Sequence, residues 1–79
     1  MQADNLRRLE AVFTEALALP AGADLSRLRQ LGQPSWDSLG HVTLMAAIEG
    51  EFGIQLDIDD MIVLTSFDAA RLYLEDKGL

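Results

Sequence analysis

The chain contains no cysteine and only one histidine, His41. Without cysteine it cannot form a disulfide bond or a zinc site built on thiolates. A single histidine also makes a histidine-based metal site hard to assemble. We therefore expect the chain to bind no metal and to supply no redox or zinc chemistry of its own.

Aromatic residues make up only 6% of the chain, there are two prolines, and no segment alternates between apolar and polar residues as a strand does. This composition favours a helical fold over an all-β fold. An apolar fraction of 49% and a mean hydropathy of +0.13 exclude a disordered chain. Because 79 residues have room for a single core, we expect one domain spanning residues 1–79.

Long apolar runs are also missing. No window approaches the about 20 apolar residues that cross a bilayer. The first residues, MQADNLRRLEAVF, lack the charged start and continuous apolar stretch of a signal peptide. We therefore expect a cytoplasmic protein with no membrane partner.

Lysine and arginine are absent between Gln30 and Ala70, in a chain whose net charge is −7. The charged residues of that stretch are Asp37, Glu49, Glu51, Asp57, Asp59, Asp60 and Asp68. Such a surface repels nucleic-acid phosphates and attracts basic patches on other proteins. We therefore expect protein partners rather than nucleic acid, although an acidic surface that serves only solubility explains the same composition.

Apolar residues at helical spacing predict two long helices in the first two thirds of the chain. The first helix is expected to begin behind a cap at Asp4 or Asn5 and to end at Pro20, and the second to run from Ser38 to a stop at Gly53. Its predicted apolar positions are Leu39, Val42, Leu44, Met45, Ile48 and Phe52. The connection between the helices, AGADLSRLRQLGQPSW, is predicted to be a long loop pinned to the core by leucines at 25, 28 and 31.

Two further helices are predicted near the end of the chain. Acidic residues at 57, 59 and 60 precede MIVL, and acids are preferred in a first helical turn, which favours one short helix. TSFD at 65–68 fits the capping pattern [ST]-x-x-[DE] and opens a last helix that stops at Lys77-Gly78. The expected fold is all-α: a small four-helix bundle with three principal helices, one short third helix and a long loop between helices 1 and 2.

Ser38 is the candidate functional residue. If Asp37 caps the second helix, Ser38 lies in its first turn, where unpaired backbone N–H groups and the positive end of the helix dipole favour an anion such as phosphate. From this local pattern alone, an ordinary first-turn serine behind an ordinary cap remains the alternative.

The motif Asp37-Ser38-Leu39 begins an apolar helix that ends in Glu49, Glu51 and Phe52-Gly53-Ile54, and TSFDAA follows. This order of segments in an acidic chain of this length resembles the acyl carrier protein family over nearly the whole sequence. The resemblance implies that Ser38 carries 4'-phosphopantetheine, which a separate phosphopantetheinyl transferase adds from coenzyme A. It also implies a monomeric, non-catalytic carrier that holds acyl or aminoacyl groups as thioesters on the thiol of that arm.

The resemblance further implies a surface that contacts the enzymes of the pathway, namely the transferase and the loading ligases, synthases or transferases, through their basic patches. The residues expected on this surface are Leu39, Gly40, Val42, Thr43, Ala46, Glu49, Asp59 and Asp60.

The chain departs from the usual fatty-acid carriers at three of these positions. Gly40 and Thr43 stand where many of those carriers have acids, and Ala46 stands where they have a bulky apolar residue. The wording W-D-S-L-G-H-V also resembles carriers of polyketide and nonribosomal peptide systems. We therefore expect a specialised carrier for a secondary-metabolite, polysaccharide-linked or aminoacyl pathway.

Other functions fit the sequence less well. His41 is three residues from Ser38 on the same helical face, but no G-x-S-x-G motif or third orienting group accompanies it, so we expect an exposed helix residue near the phosphate rather than the base of a hydrolase. The acids of DIDD lack the glycine and glutamate of an EF-hand loop. An unmodified helical adaptor, which binds partner proteins through its acidic face and Leu39, remains the alternative function.

Overall fold

The computed structural model describes residues 1–79 and is all-α, with 57% of its residues helical and no strands. Its four helices are α1 (Ala3–Ala16), α2 (Ser38–Phe52), α3 (Ile58–Val63) and α4 (Phe67–Asp76). The predicted order of helices is confirmed, including the short third helix and the long connection between α1 and α2. No helix is long and apolar enough to cross a membrane.

Both ends of α1 differ from the prediction. Gln2 precedes the helix and no side chain caps it, so a cap at Asp4 or Asn5 is wrong. The helix ends at Ala16 rather than at Pro20, because Ala18 adopts a left-handed conformation with φ 52°. The Leu19 N–H then turns back to the carbonyl of Thr14 at 2.9 Å, which is the hydrogen-bond pattern of a Schellman helix end.

The predicted bounds of α2 are confirmed, but not all of the apolar positions that predict this helix face the core. Asp37 caps the first turn, and Gly53 ends the helix with φ 64°. Leu44, Met45 and Ile48 are buried, whereas Leu39 and Val42 are exposed. The helix is apolar on more than one side, so one of its apolar faces remains open to solvent.

The capping prediction for the last helix is wrong by one residue. The Ser66 hydroxyl, not that of Thr65, accepts the Ala69 N–H at 3.0 Å. A complete capping box occurs instead at α3, where Asp57 and Asp60 each accept the backbone N–H of the other. The predicted stop of α4 at Lys77-Gly78 is confirmed.

The core is one cluster of fourteen buried residues. Phe13 of α1 lies within it and makes edge-to-face contacts with Trp36, whose ring centroid is 5.5 Å away, and with Phe67 at 5.0 Å. α1 packs along α2 and also contacts α4. α3 contributes no buried residue, although Leu56 and Leu64 on either side of it are buried.

The connection over residues 17–37 is held by side chains and by backbone hydrogen bonds. Leu25 is buried and Leu28 is partly buried, as predicted, but Leu31 is 79% exposed, so the prediction that it pins the loop is wrong. The Gln30 N–H donates to the carbonyl of Thr65 at 2.9 Å, and the Phe67 N–H donates to that of Leu28 at 3.2 Å. The loop that leads to Ser38 is therefore fastened to the junction between α3 and α4.

Candidate functional site around Ser38

Ser38 is the first residue of α2 and is exposed. The side chain of Asp37 accepts the Gly40 N–H at 2.8 Å, and the Asp37 carbonyl accepts the His41 N–H at 2.8 Å. The N–H groups of Ser38 and Leu39 are left as the free donors of the first turn, as expected at a helix start. Together with the helix dipole they form a place where an anionic group attached to Ser38 is favoured.

The position of Ser38 is fixed by Trp36, two residues earlier. The side chain of Trp36 is completely buried. The backbone N–H of Trp36 closes a turn that begins at Gln33, with a distance of 2.9 Å to the Gln33 carbonyl. Pro34 takes the second position of this turn, which suits its fixed φ. Ser38 therefore stands in solvent on a segment whose preceding residues are anchored in the core.

Gly40 has a structural role that the sequence did not reveal. A Cβ added at this position would stand 2.0 Å from the carbonyl oxygen of Ser35. Since this neighbour is backbone, it cannot swing aside as a flexible side chain could. The absence of an acid at position 40 is thus explained by the close approach of the chain before α2, and an aspartate there does not fit.

His41 is partly buried rather than exposed as predicted, and both of its ring nitrogens are used. The indole N–H of Trp36 donates to Nδ1 at 2.9 Å, and Nε2 lies 2.7 Å from the carbonyl of Met61. Because an indole N–H only donates and a carbonyl only accepts, the neutral ring carries its proton on Nε2. The ring is also stacked on that of Trp36, with centroids 6.1 Å apart.

Exposed apolar side chains occur on both α2 and α3. Leu39, which is 76% exposed, and Val42 are one helical turn apart on α2. Ile58 and Ile62, together with Val63, are exposed on α3. The contact between His41 and Met61 joins these two helices. We call the set of exposed apolar residues on them the apolar surface: Leu39, Val42, Ile58, Ile62 and Val63.

The acids predicted to contact partners differ in how free they are. Glu49 is partly buried and accepts the Leu56 N–H at 2.8 Å, which fixes the connection between α2 and α3. Asp60 belongs to the capping box, and it also accepts the hydroxyl of Tyr73 at 3.0 Å. Asp59 is exposed and forms no ion pair or side-chain hydrogen bond.

Two pKa values near α3 are shifted, that of Asp60 by hydrogen bonds and that of Tyr73 mainly by burial. The N–H of Asp57 holds the pKa of Asp60 below its ordinary value, and the Tyr73 hydroxyl adds to this effect. Burial raises the pKa of Tyr73, and the neighbouring Asp60 carboxylate acts in the same direction. Both shifts favour a phenol that donates to an ionised carboxylate.

Two more predicted partner residues, Thr43 and Ala46, are exposed on α2. The Thr43 hydroxyl donates to the carbonyl of Leu39 at 3.1 Å. Sequence reasoning missed the roles of Trp36 and Tyr73, and in both cases the partner lies elsewhere in the chain or in the core. The structure brings together no group of three His, Asp or Glu side chains that could hold a metal ion.

No family model, no curated protein and no solved structure matches this chain.

Proposed function

We propose that this chain is an acyl carrier protein, built as a small four-helix bundle, that carries acyl or aminoacyl intermediates on a 4'-phosphopantetheine arm attached to Ser38. The observation that carries the proposal is the place of Ser38 in the motif Asp37-Ser38-Leu39. It is an exposed hydroxyl at the first position of a capped helix, with free backbone N–H groups beside it.

The surroundings of Ser38 suit a permanent phosphodiester charge. The amino end of a helix stabilises such a charge by about 0.3 to 1 kcal/mol. The Asp37 carboxylate accepts a hydrogen bond from the N–H of Gly40 and so caps the helix. When bound, the arm supplies the thiol that a chain without cysteine lacks, and the chain itself holds and presents it.

The environment of His41 favours a serine that is modified over one that acts as a nucleophile. A hydrolytic serine needs a base within hydrogen-bond reach. His41 is the only histidine of the chain, and its two nitrogens are already engaged with Trp36 and Met61.

The surface around Ser38 supports partners of a particular chemistry. The apolar surface lies on the helix that begins at Ser38 and on α3, in a stretch without lysine or arginine. An enzyme with an apolar docking site and a basic rim complements it, because opposite charges speed the encounter and apolar contact supplies affinity. The phosphopantetheinyl transferase and the enzymes that load the arm are the proposed partners.

A specialised biosynthetic pathway remains our proposal for the setting. With Gly40 explained by its contact with Ser35, the proposal now depends on Thr43 and Ala46, which leave this face of α2 less acidic and less bulky than in many fatty-acid carriers.

Modification by a transferase tests the proposed function. Incubation with coenzyme A and a broad-specificity phosphopantetheinyl transferase should add the mass of one phosphopantetheine, and Ser38→Ala should abolish the addition. Ser35→Ala, three residues earlier, is the matched control and should be modified normally. Addition to Ser35 or Ser66, or no addition to a folded wild-type chain, would contradict the proposal.

An unmodified adaptor is the second candidate, and the apolar surface favours it because that surface is exposed on the bare chain. The two functions differ in their need for Ser38. An adaptor would bind its partner equally well with Ser38→Ala, whereas a carrier would lose all turnover.

A further inference from the structure

α3 is held in place differently from the other helices. It has six residues, none of them buried. A helix of this length is not stable in isolation, so its position depends on contacts with the rest of the protein. The buried leucines at its two ends, Leu56 and Leu64, anchor the chain on either side. Between them, the partly buried Met61 is the only apolar side chain of α3 that packs against the core.

Two hydrogen bonds tie α3 to its neighbours. The hydroxyl of Tyr73 on α4 donates to Asp60 at 3.0 Å. Nε2 of His41 on α2 donates to the carbonyl of Met61 at 2.7 Å.

The carbonyl of Met61 needs such a partner. It lies in the last turn of α3, where no N–H group of the helix is available to donate to the carbonyls. The Thr65 N–H, which would serve Met61 in a longer helix, donates instead to the carbonyl of Val63 at 3.0 Å. His41 thus satisfies a helix end that the chain itself leaves open.

The other side of the His41 ring is fixed by the core. The completely buried Trp36 donates to Nδ1 at 2.9 Å and stacks on the ring. A continuous path of hydrogen bonds therefore runs from the core through His41, one turn after Ser38, to the end of α3.

We propose that His41 is a positioning residue that holds α3 against the first turns of α2, so that Leu39 and Val42 form one continuous surface with Ile58 and Ile62 for the enzyme that modifies Ser38. His41 does not touch the reacting atoms. The part of this inference that concerns enzyme recognition rests on the proposed function, whereas the holding of α3 does not and is measurable on the unmodified chain.

Two substitutions separate the two bonds of the ring. His41→Asn places an amide oxygen near the position of Nδ1, so it keeps an acceptor for Trp36 but does not reach Met61. His41→Gln places an amide N–H near the position of Nε2, so it keeps the donor for Met61. The pair forms a matched control, because both variants are uncharged amides at the same position.

Hydrogen exchange of the unmodified chain tests the holding of α3. The amides of Met61 and Leu64, which donate to Asp57 and Asp60, should exchange roughly three- to tenfold faster in His41→Asn, the range for the loss of one hydrogen bond. In His41→Gln they should stay within about twofold of the wild type. Core amides of α1 report whether the variant is folded, and 15N shifts of the wild-type ring should identify the Nε2–H tautomer. If the amides of Met61 and Leu64 exchange in His41→Asn at the same rate as in the wild type, the inference is overturned.

Transferase kinetics test the consequence for recognition. His41→Asn should raise KM roughly three- to tenfold with little change in kcat. His41→Gln, which keeps the donor to Met61, should have the KM of the wild type. If the wild type is modified and α3 loosens in His41→Asn while KM is unchanged, recognition does not depend on α3 and that part is overturned. If the wild type is not modified at all, the proposed function fails, and the exchange experiment still decides the holding of α3.

Discussion

Gly40 passes so close to Ser35 that a Cβ on Gly40 would stand 2.0 Å from the Ser35 carbonyl oxygen. Gly50, ten residues further along the same helix, faces open space: apart from its own helix backbone and chain neighbours, nothing lies within 4 Å of an added Cβ. Position 40 therefore has no room for a side chain, whereas position 50 does. The same substitution at the two positions should change the free energy of unfolding in opposite directions.

Gly40→Ala should lower the free energy of unfolding by about 1 to 3 kcal/mol, because the backbone before α2 must shift to make room. Gly50→Ala should raise it by up to about 1 kcal/mol, since alanine is the better helix former and meets no neighbour. Urea unfolding followed by circular dichroism measures both. Equal effects of the two substitutions would contradict the steric role of Gly40.

The exposure of Leu39 predicts a loss of function without a loss of stability. Leu39→Ala should change the free energy of unfolding by no more than about 0.5 kcal/mol while it slows modification by the transferase. The reference is Leu44→Ala on the same helix, where a completely buried leucine is lost and about 2 to 5 kcal/mol should disappear. A Leu39→Ala variant as unstable as Leu44→Ala would show that Leu39 belongs to the core.

Asp59 is the acid best suited to test electrostatic recognition, because Asp37, Glu49 and Asp60 all accept backbone N–H groups. Modification of the wild type should slow as salt rises, since screening weakens steering. Asp59→Lys should lower kcat/KM at low salt, and the difference should shrink at high salt. Glu10→Lys makes the same charge change on an exposed site of α1. An equal effect of both substitutions would show that only net charge matters.

The hydrogen bonds of Asp60 predict that α3 loosens in acid. The pKa of Asp60 is lowered, first by the N–H of Asp57 and then by the hydroxyl of Tyr73. A group whose pKa is lowered by folding stabilises the protein above its unfolded pKa of about 3.9, and this contribution is lost as the pH falls through the lower folded pKa.

The ring protons of Tyr73 give a local measurement of this loss. Their chemical shifts should titrate with a midpoint below about 3.9, and exchange of the Met61 and Leu64 amides, corrected for intrinsic rates, should accelerate over the same range. Asp60→Asn should remove this pH-dependent change in the chemical shifts of the Tyr73 ring protons, because the titrating carboxyl group is gone. A midpoint at or above the ordinary carboxyl value would contradict the prediction.

The features predicted from the sequence are those whose causes are local. Asp37 and Gly53 mark the ends of α2 because a cap and a left-handed glycine act within one turn of the helix. Ala18, by contrast, ends α1 in a left-handed conformation without the glycine that usually announces one, so the prediction ran on to Pro20.

The features that were missed depend on which parts of the chain meet. α2 is apolar on more than one side, so periodicity alone does not separate the exposed Leu39 from the buried Leu44. The exposure of Leu39 was expected from the family resemblance instead, and it is confirmed. His41 finds its partner at Met61, twenty residues away, and the contact between Gly40 and Ser35 involves backbone that no side-chain pattern describes. The place of Ser38 at the start of α2 was predictable because the cap at Asp37 directly precedes it, whereas its modification stays a prediction.

The contact between Trp36 and His41 gives the protein its own optical reporter. Trp36 is the only tryptophan, it is completely buried, and it touches both the core and the ring that reaches α3. Its fluorescence should therefore change whenever α3 moves or a partner rearranges the start of α2. The same signal should report the proposed docking and modification at Ser38 in real time on the natural chain, without an attached dye.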